Sequence, residues 1–210
     1  MAKKEVPLMQ LSAYLPDHTY EPVVAFLNFY KVHLTIAKSR NSVLGDYRHS
    51  VDTKHHRISV NGNLNKYAFL ITLLHELAHL IAFEKYGNRI QAHGREWKTI
   101  YGQILSQFIE KQLFPADIQK ELLKTLQNPG ASTCSEENLQ RVLYRYDSPK
   151  KGYKLIEDLP EGAVFKIKDG RTFQKGKKRT KRYSCVEMAT SRTYLFSPVY
   201  EVLMVTGPND

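Results

Sequence analysis

Apolar positions in the first 130 residues alternate between two periods. Val23, Val24, Phe26, Leu27 and Tyr30 repeat at helical spacing behind Asp17-His18-Thr19, with Pro22 in the first turn, where its missing N–H does little harm. The period then drops to two. Residues 32–37, 43–49 and 56–60 read as short strands, and Asn61-Gly62-Asn63 stops the last of them. A long, almost wholly apolar helix is predicted over residues 64–86, with Gly87 as the residue that leaves it. Two further helices follow, from His93 to about residue 112 and over 115–127, and Asn128-Pro129-Gly130 ends the series. Beyond a loop at 131–137 the pattern is that of strands: 142–146, 163–168, 171–174, 183–188, 193–196 and 200–205, with Asp169-Gly170 as a hairpin turn. The pattern predicts an α+β domain over residues 1–130, a three-stranded sheet with helices, and a small all-β domain over 131–210. Val164, Phe165, Ile167, Phe173, Val186, Tyr194, Leu195, Phe196 and Val202 are its expected core.

Composition narrows the class. A chain of 210 residues, 42% hydrophobic and 25% charged, is long enough to bury about 70% of its unfolded surface without staples. Its two cysteines, Cys134 and Cys185, make neither a disulfide framework nor a four-thiolate metal site. Two thiols and no apolar run behind the N-terminal lysines lead us to expect a reducing, cytoplasmic location. Thr72, His75, Glu76 and His79 interrupt the most apolar window, residues 67–83, so no membrane span is expected there.

Chemistry concentrates in that window. His75-Glu76-Leu77-Ala78-His79 is an H-E-x-x-H inside a helix, so the two imidazoles lie one turn apart on one face and reach a common ion. Glu76 is about 100° further round the helix, where it can accept a proton from a water without being a ligand. With 8 His and 13 Glu in the chain, about 0.02 such matches arise by chance. The plain alternative is a pair of surface histidines on an amphipathic helix. Leu73, Leu74, Leu77, Leu80 and Ile81 argue against it, because they make the helix apolar nearly all round. Catalytic zinc takes three protein ligands and keeps a fourth position open. His93, fourteen residues after His79, is the preferred third ligand, and Glu84 ranks second. The remaining histidines, His18, His33, His49, His55 and His56, are expected to be solvated. Trp97, one turn past His93, is expected to pack beneath it.

His75-Glu76-x-x-His79 followed by His93-Gly94-x-x-Trp97 resembles the SprT-like zinc metalloproteases, whose relatives include the Spartan and Wss proteases. The likeness extends upstream through Leu44-Gly45-x-Tyr47 and residues 56–61, and covers about residues 20–110. It implies a minimal zincin-like fold, Zn2+ on His75, His79 and His93, and Glu76 as general base. It also implies peptide-bond hydrolysis of a protein substrate, often DNA-attached, in a DNA-stimulated way. SprT-like proteins often carry a C-terminal zinc ribbon with two Cys-x-x-Cys pairs, whereas Cys134 and Cys185 stand alone here. A substrate strand is expected to add to an edge of the sheet near residues 56–61.

Charge adds one further candidate. The formal net charge is +10, and residues 166–182 hold nine Lys or Arg against one Asp. Their dense part is expected to be a hairpin loop presenting Lys175, Lys177, Lys178, Arg179, Lys181 and Arg182 to nucleic-acid phosphates. A solvated loop is the simpler reading, since residues 1–130 and 131–210 each carry +5. Three functions compete: a zinc metallopeptidase, a zinc-containing nucleic-acid-associated binding module with little or no hydrolysis, and a zinc hydrolase of RNA, against which the Glu directly after His75 counts.

Overall fold

The computed structural model describes residues 8–40, 43–49, 55–127, 134 and 136–206. The chain divides into two compact units, Met1–Asp147 and Ser148–Asp210.

In the first unit, a short helix α1 (Leu8–Leu11) and a 3-10 turn lead to α2 (Tyr20–Phe29), which buries Val23 and Leu27. Strands β1 (Val32–Ala37), β2 (Gly45–Arg48) and β3 (His56–Asn61) form a sheet in the order β1-β3-β2. β1 runs parallel to β3 and β2 antiparallel to it. This order corrects one expectation. β3 is the central strand and pairs on both sides, so residues 56–61 offer no free edge; among the described residues β1 and β2 are the edge strands.

Helix α3 (Lys66–Tyr86) crosses the sheet. Asn65 caps its start by accepting from the Ala68 N–H at 2.9 Å, and Gly87 leaves its end at φ 61. Thirteen of its residues are buried, Leu73, Leu74, Leu77 and Leu80 completely. By length and composition the helix could cross a membrane, but 72% of its most apolar stretch is buried within the fold. Helices α4 (Arg95–Glu110), α5 (Ala116–Gln127) and α6 (Glu137–Tyr144) complete the unit around one core.

Helix α6 replaces the strand expected at 142–146 and lies before the domain boundary rather than after it. Its apolar residues Leu139, Val142 and Leu143 have helical spacing and are buried in the first core. Asn65 fastens it there: its amide donates to the Leu143 carbonyl at 3.0 Å and to Asp147 Oδ1 at 2.7 Å. The division therefore falls after residue 147 rather than after 130. Residues 128–133, around the expected boundary, lie outside the described residues.

The second unit is a six-stranded sheet of β4 (Tyr153–Leu155), β5 (Val164–Lys166), β6 (Thr172–Lys178), β7 (Tyr183–Glu187), β8 (Thr193–Phe196) and β9 (Glu201–Thr206), ordered β4-β9-β5-β6-β7-β8. Asp169-Gly170 turns between β5 and β6, with Gly170 at φ 93. Phe165, Phe173, Ile167 and Val202 form its core, with Phe196 edge-on to both phenylalanines. Val186 and Leu195, expected in that core, face outward at 38% and 49% exposure, because their neighbours Cys185 and Tyr194 take the inner side of the pleat.

Candidate metal centre

α3 carries His75 and His79 one turn apart, with ring centroids separated by 5.0 Å. The third imidazole comes from the connection into α4. A turn closes there through the Gly94 N–H and the Gln91 carbonyl at 2.9 Å, with His93 in the left-handed region at φ 60. That conformation costs a non-glycine residue roughly 1–2 kcal/mol. It aims the ring back at α3: His93 Nε2 lies 3.1 Å from His75 Nε2 and 2.8 Å from His79 Nε2. A side chain at position 94 would put its Cβ 3.0 Å from the Gln91 carbonyl oxygen, which suits the glycine that starts α4.

Trp97 packs against the rings of all three histidines, with centroids 4.6, 5.1 and 4.7 Å from His75, His79 and His93. Tyr101 stacks on it at 5.0 Å. Trp97 Nε1 is buried with no hydrogen-bond partner among the described residues.

Burial sets the electrostatics. Desolvation, and then the neighbouring imidazoles, push His75 down to about 3 and His79 down to about 4; burial and then Lys98 lower His93. All three rings are therefore neutral near pH 7, and His93 Nε2, which offers either one proton or one lone pair, cannot satisfy both of its contacts at once. A divalent cation resolves that conflict. Tetrahedral zinc with Zn–N bonds of about 2.0–2.1 Å places its ligand nitrogens about 3.3 Å apart, close to the spacings found. One ligand atom from each histidine lies within 4.8 Å of the others. The donor set fits a metal.

Glu76, buried on α3 next to His75, packs against β2. A Cβ on Gly45 would sit 2.6 Å from Glu76 Oε1 and 2.7 Å from Thr72 Cγ2, so the strand passes directly over the carboxylate. Burial, and then Asp46, raise its pKa to about 8 against Arg40 and a hydrogen bond from the Tyr47 backbone N–H.

Other residues part from expectation. Glu84 does not join the cluster; its Oε1 lies 3.1 Å from His56 Nε2. His56 is not solvated, its side chain being 12% exposed with Nδ1 3.0 Å from the Tyr47 hydroxyl. His49 stacks on Phe83, whereas His18 and His33 are exposed as expected, the His33 ring lying 4.4 Å from that of His55. Gly45 and Tyr47 stand out in the sequence only through the family likeness, because nothing in a four-residue strand announces which helix lies under it.

The basic segment also departs from a simple loop. Strand β6 runs through Lys178, and Lys175 is on its inner side, 5% exposed. Its ammonium donates to the Leu159 and Glu157 carbonyls and lies 4.2 Å from the Tyr183 ring centre. Lys175 is thus a buried structural cation, not a phosphate contact. Lys177, Lys178, Arg179, Lys181 and Arg182 are exposed at the β6–β7 turn, which the Arg179 N–H closes on the Arg182 carbonyl at 2.8 Å.

Comparison with known proteins points to the same segment of the chain. The sequence model of the SprT-like family matches residues 19–120. Over 29 residues the chain is 59% identical to Protein SprT of Pseudomonas putida and of Pseudomonas fluorescens, and 55% identical to that of Pseudomonas entomophila. Those alignments cover 14% of this chain and 18% of each relative. No solved structure matches.

Proposed function

From the premise that residues 19–120 belong to the SprT-like family, we propose that the chain is a zinc metallopeptidase with a minimal zincin-like fold. His75, His79 and His93 are its metal ligands and Glu76 its general base. The observation that carries this reading is the convergence of three neutral imidazoles from α3 and the α4 turn, with one buried carboxylate beside them.

Zinc held by this set supplies Lewis-acid polarisation of a peptide carbonyl and acidifies a water. The chain's own residues do the rest. Trp97 and Tyr101 hold the imidazole planes and exclude solvent from beneath them. Glu76 takes the proton of the attacking water on its carboxylate and returns it to the leaving amine. A proton affinity near neutrality suits both halves of that task.

The substrate is a protein chain, and DNA-associated or DNA-crosslinked proteins are the class the family likeness favours. The compartment is a reducing, cytoplasm-like one, in keeping with the free thiols of Cys134 and Cys185. One observation favours the second reading, a nucleic-acid-associated module that cleaves little. Five cations at the β6–β7 turn are exposed, and no acidic side chain among the described residues pairs with them. A single experiment separates the two. The zinc-loaded protein and Glu76→Gln are assayed for cleavage of basic protein substrates with and without DNA. Glu76-dependent cleavage with metal retained in the variant supports the peptidase. DNA binding without Glu76-dependent turnover supports the module.

A further inference from the structure

β2 is the free edge of its sheet that passes over Glu76, and its ladder to β3 covers only Gly45 to Arg48. A strand this short, bonded on one side, belongs to the least stable part of a fold. Yet it touches the carboxylate at two residues: Gly45 leaves no room for a methyl group beside Glu76, and the Tyr47 N–H bonds to Glu76. Something must hold it down.

The Tyr47 side chain points to what does. Its hydroxyl lies 3.0 Å from His56 Nδ1 on β3, and His56 Nε2 lies 3.1 Å from Glu84 Oε1, near the end of α3. A carboxylate oxygen accepts, so His56 Nε2 donates to Glu84, and in the neutral ring Nδ1 accepts the tyrosine proton. Phe83 fills the space beneath, with its ring against Tyr47, His56 and His49. Three elements thus meet around one edge-strand residue, one turn of α3 beyond His79.

We infer that Tyr47, braced by His56 and Glu84, is a positioning residue that clamps β2 over Glu76 and so fixes the general base. This rests on the peptidase reading for its consequence, though not for its structural content. Tyr47 contacts His56 and Phe83 and acts through the strand.

The test uses the full chain and two readouts. Amide hydrogen exchange of the metal-free protein is followed at residues 45–48 in wild type, Tyr47→Phe, Glu84→Ala and Glu84→Gln. Loss of one neutral hydrogen bond is expected to speed exchange about fivefold in Tyr47→Phe and in Glu84→Ala. Glu84→Gln, whose amide oxygen still accepts from His56, stays near wild type. Peptide cleavage by the zinc-loaded variants should show the same order in kcat with KM and zinc stoichiometry unchanged, whereas a merely structural role would lower the melting temperature alone. Unchanged exchange at 45–48 in Tyr47→Phe overturns the clamp whether or not the protein cleaves peptides. Faster exchange with kcat unchanged overturns its link to Glu76. If no variant, wild type included, cleaves anything, the peptidase reading fails while the exchange result still decides the clamp.

Discussion

Glu76 and Gly45 are the two residues whose replacement separates chemistry from packing. Glu76→Gln keeps the shape and the metal ligands but loses the proton acceptor. Turnover should fall roughly 100-fold to 10,000-fold with zinc content unchanged, which metal analysis and a cleavage assay check on one sample. Gly45→Ala makes the opposite change. The added methyl meets Glu76 and Thr72 inside 2.8 Å, and Thr72 is fully buried and cannot retreat. A loss of roughly 1–3 kcal/mol is expected in urea unfolding, together with lower kcat because the carboxylate must move. Trp97→Ala should cost roughly 3–5 kcal/mol and weaken zinc binding as well, since the ring that fixes all three imidazoles is gone.

The elements differ in how plainly the sequence announces them. The Asn65 cap shows only in the structure, but α3 itself is legible to within two residues, because a long, mostly apolar segment closed by Gly87 favours a buried helix. So are the hairpin at Asp169-Gly170 and the placing of His75 and His79, which follow from local spacing alone. What escapes the sequence is non-local. Residues 142–146 read as a strand from Val142 and the tyrosines, yet Leu139, Val142 and Leu143 form one helical face that only the first core explains. Lys175 reads as one more cation of a basic run, but the pleat turns it inward, onto two carbonyls that no spacing rule connects to it. β3 reads as an edge only because strand order is a property of the sheet and not of any strand. Asn65 carries a prediction at this scale. It caps α3 and also binds α6, so Asn65→Ala should lose roughly 1–2 kcal/mol, read from the denaturation midpoint.

At the scale of the whole molecule, two cores fold in one chain and only one contains the histidine cluster. Binding to the folded state alone stabilises it by about 2.7 kcal/mol when free zinc is 100 times its dissociation constant. Chelation should therefore lower the thermal transition of residues 1–147 and leave that of 148–210 in place, which calorimetry with and without chelator resolves. The cations of the second unit make a separate prediction. Replacing Lys177, Lys178, Arg179, Lys181 and Arg182 by serine should flatten the salt dependence of DNA binding, its logarithmic slope shrinking by about 0.9 for each phosphate no longer neutralised. Lys175→Ser should instead unfold or loosen the sheet.

The proposed peptidase chemistry requires three imidazoles to share one ion, and zinc-edge X-ray absorption on the reconstituted protein tests that directly. One zinc per chain is predicted, with three imidazole nitrogens at about 2.0–2.1 Å and one light-atom ligand more, the set falling to two imidazoles or to no bound metal in His93→Ala. A protein that binds no zinc, or a His93→Ala variant whose zinc environment matches the wild type, would contradict it.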